Sequence, residues 1–401
     1  MNLLFLIDYI NYGLGAERAL LNIANSLCDK HNVVIAARFD GGNPSYWMDP
    51  RIDYRLLNTE RDLPLHKKVF SYLKETQALK RLKKEIQADI SISFLETANF
   101  LNVVSGGPGK TVISIRNYYS LGLKSDYAFI QRIKAVWSGK TADQVVCVSE
   151  MIRQDMVKHF KAPQKKTCVI YNMYNVQQEA VPYREDIYDL FIQRKGGSHS
   201  VFITTGRLTV QKGQWHLIRA FKKVHEVIPD AVLFIFGGGS LENYLSMLIR
   251  ENNLEDSTYL MEFDPGIVHY LKEADIYVSP SLWEGFSNSI LEALCNGMPV
   301  ISTDCHTGPR ELLAPDTDYS YETDKIEYAK YGILVPAGSE KRLINEPLTA
   351  DEELLADAMI ALAKHPELRE KYARAALERA ELFKPELITS QWESLLKTLT
   401  Q

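Results

Sequence analysis

The chain has 401 residues, 46% of them apolar and 24% charged, enough for two domains with cores of their own and ordinary for a globular protein. No apolar run reaches the ~18 residues of a membrane span, and Asn2–Ile7 stops at Asp8, too short for a signal peptide. The net charge of −5 is uneven, about +7 over residues 1–200 and about −12 over the remainder. A basic half suggests an anionic partner such as membrane headgroups, phosphorylated lipid or nucleic acid.

Short apolar runs alternate with helical patterns along the whole chain, the signature of an α/β protein with parallel sheets. In the first half, strands are expected at Asn2–Asp8, Val33–Arg38, Asp89–Phe94, Thr111–Ile115, Gln144–Val148 and Thr167–Ile170. Between the second and third lies a basic, helix-compatible stretch at 66–84, with Val69, Phe70, Tyr72, Leu73, Leu79 and Leu82 among its lysines. Such a stretch suits an anionic membrane surface, and equally an amphipathic helix packed on a sheet with a solvated basic face. Five scattered cysteines, Cys28, Cys147, Cys168, Cys295 and Cys305, lack metal-ligand spacing and read as reduced thiols of a cytoplasmic protein.

Periodicity is weakest from Asn175 to Ser200, which places a domain boundary there. Residues 1–180 form one expected domain and 181–384 the other, with the helical segment 385–401 packing back on the first. Second-half strands are expected at Val201–Thr205, Val232–Phe236, Thr258–Met261, Asp275–Ser279, Val300–Thr303 and Gly332–Val335. Two open sheets of about six strands follow. Ligands of such sheets bind beyond the carboxyl ends of the strands, so two facing sheets would form a deep cleft.

The chemistry-bearing residues fall just after these strands. Thr205-Gly206-Arg207-Leu208 and Gln211-Lys212-Gly213 follow the first strand of the second half. A guanidinium fork and a mobile ammonium at a glycine-rich strand end suit a diphosphate. Met261 to Pro265, with Phe263 at its centre, is placed to cover a nucleobase. Glu284-Gly285-Phe286-Ser287-Asn288-Ser289-Ile290-Leu291-Glu292 joins a strand to a helix. Ser287 is a candidate N-cap, which leaves the N–H groups of Asn288 and Ser289 for a phosphate. Glu292 lies among apolar neighbours, where a ribose diol would satisfy it; otherwise it is an exposed helix residue. The two glutamates would also suit a glycosidase pair, but that chemistry has no need of the neighbouring Arg207, Lys212 and helix N-terminus.

These segments, with Gly297-Met298-Pro299-Val300-Ile301-Ser302-Thr303 and Gly13-Leu14-Gly15-Ala16-Glu17-Arg18, resemble the retaining glycosyltransferases of family 4 over nearly the whole chain. Ser302 to Leu312 looks most like members that build bacterial surface polysaccharides. The resemblance implies two facing Rossmann-like domains, the GT-B arrangement, with acceptor on the first domain and nucleotide sugar on the second. It implies Arg207 and Lys212 on the donor diphosphate and Glu284 with the N–H groups of Gly285 and Phe286 on the sugar. Glu292 falls on the ribose, Gly15 beside the diphosphate, and Ser287, Asn288 and Ser289 around it. It implies a UDP-sugar donor, a lipid-linked or oligosaccharide acceptor, retention, no metal and no cofactor. Many relatives carry a histidine where this chain reads Ser114-Ile115-Arg116-Asn117-Tyr118; Arg116, Asn117 or Glu96 is expected to take its place. The expected location is cytoplasmic, peripheral on the inner face of the plasma membrane. Rival readings are transfer to a soluble acceptor, a nucleotide-sugar epimerase or a phosphorylase. A nucleic-acid-binding protein would fit the basic half, but no nucleic-acid-binding signature accompanies it.

Overall fold

A computed structural model of the protein describes residues 1–10, 15–41, 48–57, 65–122, 128–174, 181–198 and 200–401. The chain forms two units, Met1–Met173 with Lys384–Gln401, and Tyr174–Phe383. The first division falls at Met173, earlier than the expected residue 180.

Unit 1 runs β1 (Asn2–Ile7), α1 (Gly15–Leu27), β2 (Asn32–Ala37), β3 (Asp53–Leu56), α2 (Leu65–Glu85), β4 (Ile90–Phe94) and α3 (Glu96–Ser105). It continues through β5 (Lys110–Ile115), α4 (Tyr119–Gly122), α5 (Ala128–Thr141), β6 (Gln144–Cys147), α6 (Glu150–Lys158) and β7 (Thr167–Val169). The strands make one parallel sheet in the order β3-β2-β1-β4-β5-β6-β7. β1 and β4 are buried on both faces, which is why they read as unbroken apolar runs. α1 buries Leu20, Ile23, Ala24 and Leu27 at helical spacing against that sheet. Ser149 caps α6 by accepting the Ile152 N–H at 3.3 Å.

Unit 2 begins with α7 (Glu185–Lys195), β8 (Val201–Thr205), α8 (Gln214–Val227), β9 (Val232–Phe236), α9 (Glu242–Glu251), β10 (Thr258–Met261) and α10 (Ile267–Glu273). Then come β11 (Ile276–Ser279), α11 (Asn288–Cys295), β12 (Val300–Thr303), α12 (Pro309–Leu313), β13 (Glu327–Tyr328), β14 (Ile333–Val335), α13 (Ala350–Lys364) and α14 (Pro366–Ala380). The sheet order is β10-β9-β8-β11-β12-β14-β13, all parallel except the antiparallel edge strand β13. α15 (Pro385–Thr400) then returns to unit 1, where Ile388, Trp392 and Leu396 join Leu3, Phe5 and Leu27 in one core.

Both sheets reverse their strand order beside the first strand, between β1 and β4 and between β8 and β11. In doubly wound sheets this switch point opens a crevice at the carboxyl ends, the usual ligand site.

Three elements depart from expectation. The edge strands β3 and β13 extend each sheet to seven, and the stretch expected as a polar boundary contains α7. That helix holds on through Ile187 and Phe191, the Phe191 ring lying 4.4 Å from Phe234 and 5.3 Å from Tyr270.

Two buried charges mark the packing. In unit 2, Glu352 accepts from His216 Nδ1 at 2.8 Å and from Arg219 Nε at 2.9 Å, while the rest of the Arg219 guanidinium donates to the carbonyls of Ile344, Glu346 and Pro347. In unit 1, Lys83 is sunk beside α3, its Nζ donating to Asn102 O at 2.8 Å. Burial pulls the Lys83 ammonium down to about 7. The unfolded chain holds that proton up to about pH 10, so between these values it binds more protons than the native state. Stability is therefore expected to rise from pH 7 to pH 9. Lys83→Met is expected to stabilise unit 1 at pH 7 by about 1–3 kcal/mol and to flatten that rise, read by urea unfolding at both pH values. Asn102 O stays satisfied by Ser105 Oγ at 2.9 Å. A variant less stable than wild type at pH 7 would show the ammonium to be a net stabiliser.

Candidate active site

The switch point of unit 2 gathers three loops. After β8 the chain passes Gly206 and Arg207 and turns through a short 3-10 segment, Val210–Lys212, into α8. Gly213 sits in the left-handed region at φ 60°, and a Cβ there would meet Pro280 O at 2.3 Å, so only glycine lets this loop lie on the one after β11. The two are stitched by Leu282 N donating to Gln211 O at 2.8 Å and Gln211 Nε2 donating to Trp283 O at 3.0 Å.

Glu284 ends up buried, 6% exposed, at this junction. Its Oε1 accepts from Lys212 Nζ at 2.5 Å and from Ser281 Oγ at 2.7 Å. The third loop, after β12, grips its backbone: Glu284 N donates to His306 O at 2.7 Å, and Thr307 Oγ1 donates to Glu284 O at 2.7 Å and Gly285 O at 2.8 Å. That loop is anchored by the buried Arg310, whose guanidinium donates to Asp304 and Glu327. Burial on its own would lower the Lys212 pKa, but the charge and hydrogen bond of Glu284 outweigh it and hold the ammonium above its ordinary value. Lys212 is thus a fixed cation rather than the mobile one its sequence position suggests. Arg207 is exposed, its Nη2 donating to Gln211 Oε1 at 3.3 Å.

The helix α11 opens on a residue in an unusual conformation. Ser287 stands at the N-cap position with φ 67° and ψ 76°, uncommon for a non-glycine residue, and its side chain makes no cap bond. Its Oγ lies 3.4 Å from Ser289 Oγ instead. The expected side-chain cap is therefore corrected: the backbone, twisted to bring Gly285 and Phe286 round from the loop, points the hydroxyl away from the helix N–H groups. Glu292 is 6% exposed between Leu291 and Ala293, which removes the exposed-helix reading. Its charge, together with burial as the larger cause, pushes the neighbouring Cys295 thiol up. Phe286 is buried with its ring 5.7 Å from Phe383, whereas Phe263, beyond β10, is exposed.

Spacing alone signalled Arg207, Lys212, Glu284 and Glu292. It missed Ser281 and Thr307, which fix Glu284, and Tyr277 on β11, whose hydroxyl lies 3.2 Å from Thr205 Oγ1. An Asp-x-Asp triplet, Asp316-Thr317-Asp318, also escapes the reading above. It lies on an exposed loop after α12, where Asp316 pairs with Lys330 at 3.2 Å and Asp318 accepts from Ser320. Among the described residues no group of three or more His, Cys, Asp or Glu side chains is arranged to hold a metal.

In unit 1, Gly15 begins α1, and Gly13 and Leu14 before it lie outside the described residues. Glu96 and Asn117 meet at the carboxyl ends of β4 and β5, with Asn117 Nδ2 donating to Glu96 Oε1 at 3.2 Å. Arg116 does not join them at the surface. It is buried over the Phe94 ring at 4.6 Å and donates from Nη1 to Asn172 Oδ1 at 2.5 Å, and burial pulls its pKa down to about 9. Within 66–84, Leu79 and Leu82 face the core while Lys74, Lys80, Arg81 and Lys84 are exposed, as in a packed amphipathic helix. The side chains of Val69 and Phe70 lie outside the described residues.

Two Rossmann-like units, one carrying a buried Lys–Glu pair beside a helix N-terminus, define a two-unit doubly wound α/β protein with its candidate site at a sheet's switch point. Residues 14–178 match the family described as Glycosyltransferase Family 4, and residues 189–379 match Glycosyl transferases group 1. An uncharacterized glycosyltransferase of Methanocaldococcus jannaschii is 35% identical over 349 residues, 82% of this chain and 84% of the relative. The chain belongs to this glycosyltransferase family. A Campylobacter jejuni relative, N-acetylgalactosamine-N,N'-diacetylbacillosaminyl-diphospho-undecaprenol 4-alpha-N-acetylgalactosaminyltransferase, is 26% identical over 311 residues, 76% of this chain and 75% of that one. Among solved structures, Anabaena HepE in complex with UDP-glucose superposes with a TM-score of 0.77 at 20% identity, covering 99% of this chain and 100% of that one. That likeness establishes the GT-B fold.

Proposed function

We propose that this glycosyltransferase moves a hexose or N-acetylhexosamine from a UDP-sugar to a lipid-linked glycan acceptor, with retention at C1. The observation that carries the reading is the Lys212–Glu284 pair, held at the β8/β11 switch point beside the N-terminus of α11. Fixed cationic and N–H groups stabilise charge that develops on a leaving diphosphate, and need no reorganisation as it forms. In the proposed step the bond from C1 to the diphosphate oxygen breaks and the acceptor hydroxyl attacks the same face. Its proton passes to the departing phosphate, so UDP leaves and no enzyme nucleophile is used. Arg207, Lys212 and α11 neutralise the UDP, and Glu292 takes the ribose hydroxyls. Glu284 and the N–H groups of Gly285 and Phe286 take the sugar. Gly15 is assigned to the diphosphate and Phe263 to the base. Unit 1 takes the acceptor, with Glu96, Asn117 and the buried Arg116 shaping its strand ends. The reading assigns no role to a metal or cofactor. The Campylobacter relative's undecaprenol-linked acceptor supports a lipid-linked one here, and such an acceptor would place the enzyme at the inner face of a membrane.

Calorimetry with UDP, GDP and ADP tests the donor site. UDP is expected to bind tightest, and Glu292→Ala to weaken it roughly 10- to 100-fold, the worth of hydrogen bonds to a charged group. Equal binding of UDP by wild type and variant would remove Glu292 from the ribose. Tighter binding of GDP or ADP would overturn the UDP assignment.

A further inference from the structure

Helix α5 carries Phe129, Ile130, Ile133 and Trp137 as exposed side chains, Phe129 at 74% and Ile133 at 53%. Their spacing puts them along one side of the helix. Apolar residues scattered singly over a surface are ordinary, whereas four large ones on one helix are a patch. The patch is held out, not collapsed. The rest of α5 is fixed by Ser138 and Gly139, both buried, and Trp137 at the end of the patch also packs inward, its ring centroid 5.5 Å from that of Phe100. Lys134 Nζ stands over the rings of Tyr72, at 4.8 Å, and Phe100, at 5.2 Å, and Arg132 Nη2 donates to His159 O at 3.1 Å.

The charge on α5 itself has one sign. α5 contains Arg132, Lys134 and Lys140 and no acidic residue. Lys134 reaches from α5 past Phe100 of α3 to Tyr72 of α2, a helix that exposes Leu73 next to Tyr72 and, along its length, Lys74, Lys80, Arg81 and Lys84, with Glu85 at its end. A second copy seated here would bring these cations against their own kind, which disfavours self-association. An anionic lipid surface meets both features: aromatic and aliphatic side chains enter the headgroup boundary while lysines and arginines sit against phosphates.

We propose that α5, flanked by the basic face of α2, docks unit 1 on an anionic bilayer. The surface is distinct from the donor site and does not depend on its chemistry. It moves the membrane-facing apolar role from residues 66–84 to α5 and leaves α2 the charge.

Vesicle flotation tests it, using phosphatidylcholine alone and with ~30% phosphatidylglycerol, at low salt and at ~0.5 M salt, where surface charge is largely screened. Wild type is expected to float with the anionic vesicles at low salt. Binding should fall roughly tenfold or more on neutral vesicles or at high salt. Phe129→Ser/Ile130→Ser/Ile133→Ser is expected to lose at least tenfold in partitioning, from the apolar area withdrawn. Its melting temperature should be unchanged, because these side chains are exposed. Lys74→Glu/Lys80→Glu should weaken anionic binding without touching the patch. Wild type that stays with the unbound fraction at low salt overturns the proposal. So does a folded triple variant that floats like wild type. A concentration-dependent dimer abolished by the triple variant, with no flotation, would assign the patch to a second copy instead.

Discussion

Lys212→Ala is expected to lower kcat/KM by roughly 10²- to 10³-fold, the usual loss when one preorganised donor to a developing anion is removed. The geometry sharpens this. Lys212 is pinned at 2.5 Å from Glu284, which is itself fixed by Ser281. Removing Glu284 leaves a buried ammonium without its anion, and removing Lys212 leaves a buried carboxylate held by a serine alone. Each single change should therefore cost activity, and Glu284→Gln should also lower the melting temperature. The double variant should be far better than the product of the two losses, with a coupling of about 1–3 kcal/mol in the cycle. Losses that multiply would show two independent groups. Because Glu284 holds the Lys212 pKa above its ordinary range, the ammonium stays charged below about pH 10. No alkaline fall in kcat/KM between pH 6 and 9 should come from it.

Glu352→Ala is expected to destabilise unit 2 by about 3–5 kcal/mol, or roughly 10 °C in its melting temperature. Glu352 is the common acceptor of His216 and Arg219, both buried, and its Oε2 also accepts the Thr349 N–H at 2.9 Å to close the capping box of α13. Alanine strips three donors of their partner and leaves the Arg219 charge facing only carbonyls. Burial raises the Glu352 pKa, but the bonds from His216 and Arg219 outweigh it, and the net value lies below the usual carboxylate range. A depressed native pKa contributes stability that is present above about pH 4.3 and is lost as pH falls through the native value. Acid unfolding followed by circular dichroism should therefore show a shallower loss in Glu352→Ala than in wild type below pH 4.3. Parallel curves would mean that the Glu352 carboxylate takes up its proton at the same pH in the folded and the unfolded chain.

The sheets were legible wherever burial on both faces demands continuous apolar strands, as in Phe5, Ile92, Ile203 and Val278. β3 and β13 carry no such run. They are short edge strands with Asp53, Arg55 and Glu327 in them, and are specified by their neighbours rather than by their own residues. α7 hides in a polar stretch because two side chains, Ile187 and Phe191, anchor it. In the site, glycine spacing after β8 and the glutamate pair after β11 disclosed which residues gather. It did not disclose that Lys212 and Glu284, 72 residues apart, would bond to each other, since that depends on Gly213 letting their two loops touch at Pro280. Nor did Ser287 betray its φ of 67°, which is imposed by the loop before it rather than by a serine's preference.

The return of α15 to unit 1 sets an order of events during synthesis. Ile388, Trp392 and Leu396 are part of the core that β1 begins, yet they leave the ribosome only after all of Tyr174–Phe383. Unit 2 is thus a continuous stretch that can close while unit 1, translated first, still waits with an open flank for its last helix. A released chain ending near residue 383 would contain every element of unit 2 but lack the last helix of unit 1. Chaperones acting on this enzyme should accordingly be found on its beginning for longer than on its middle.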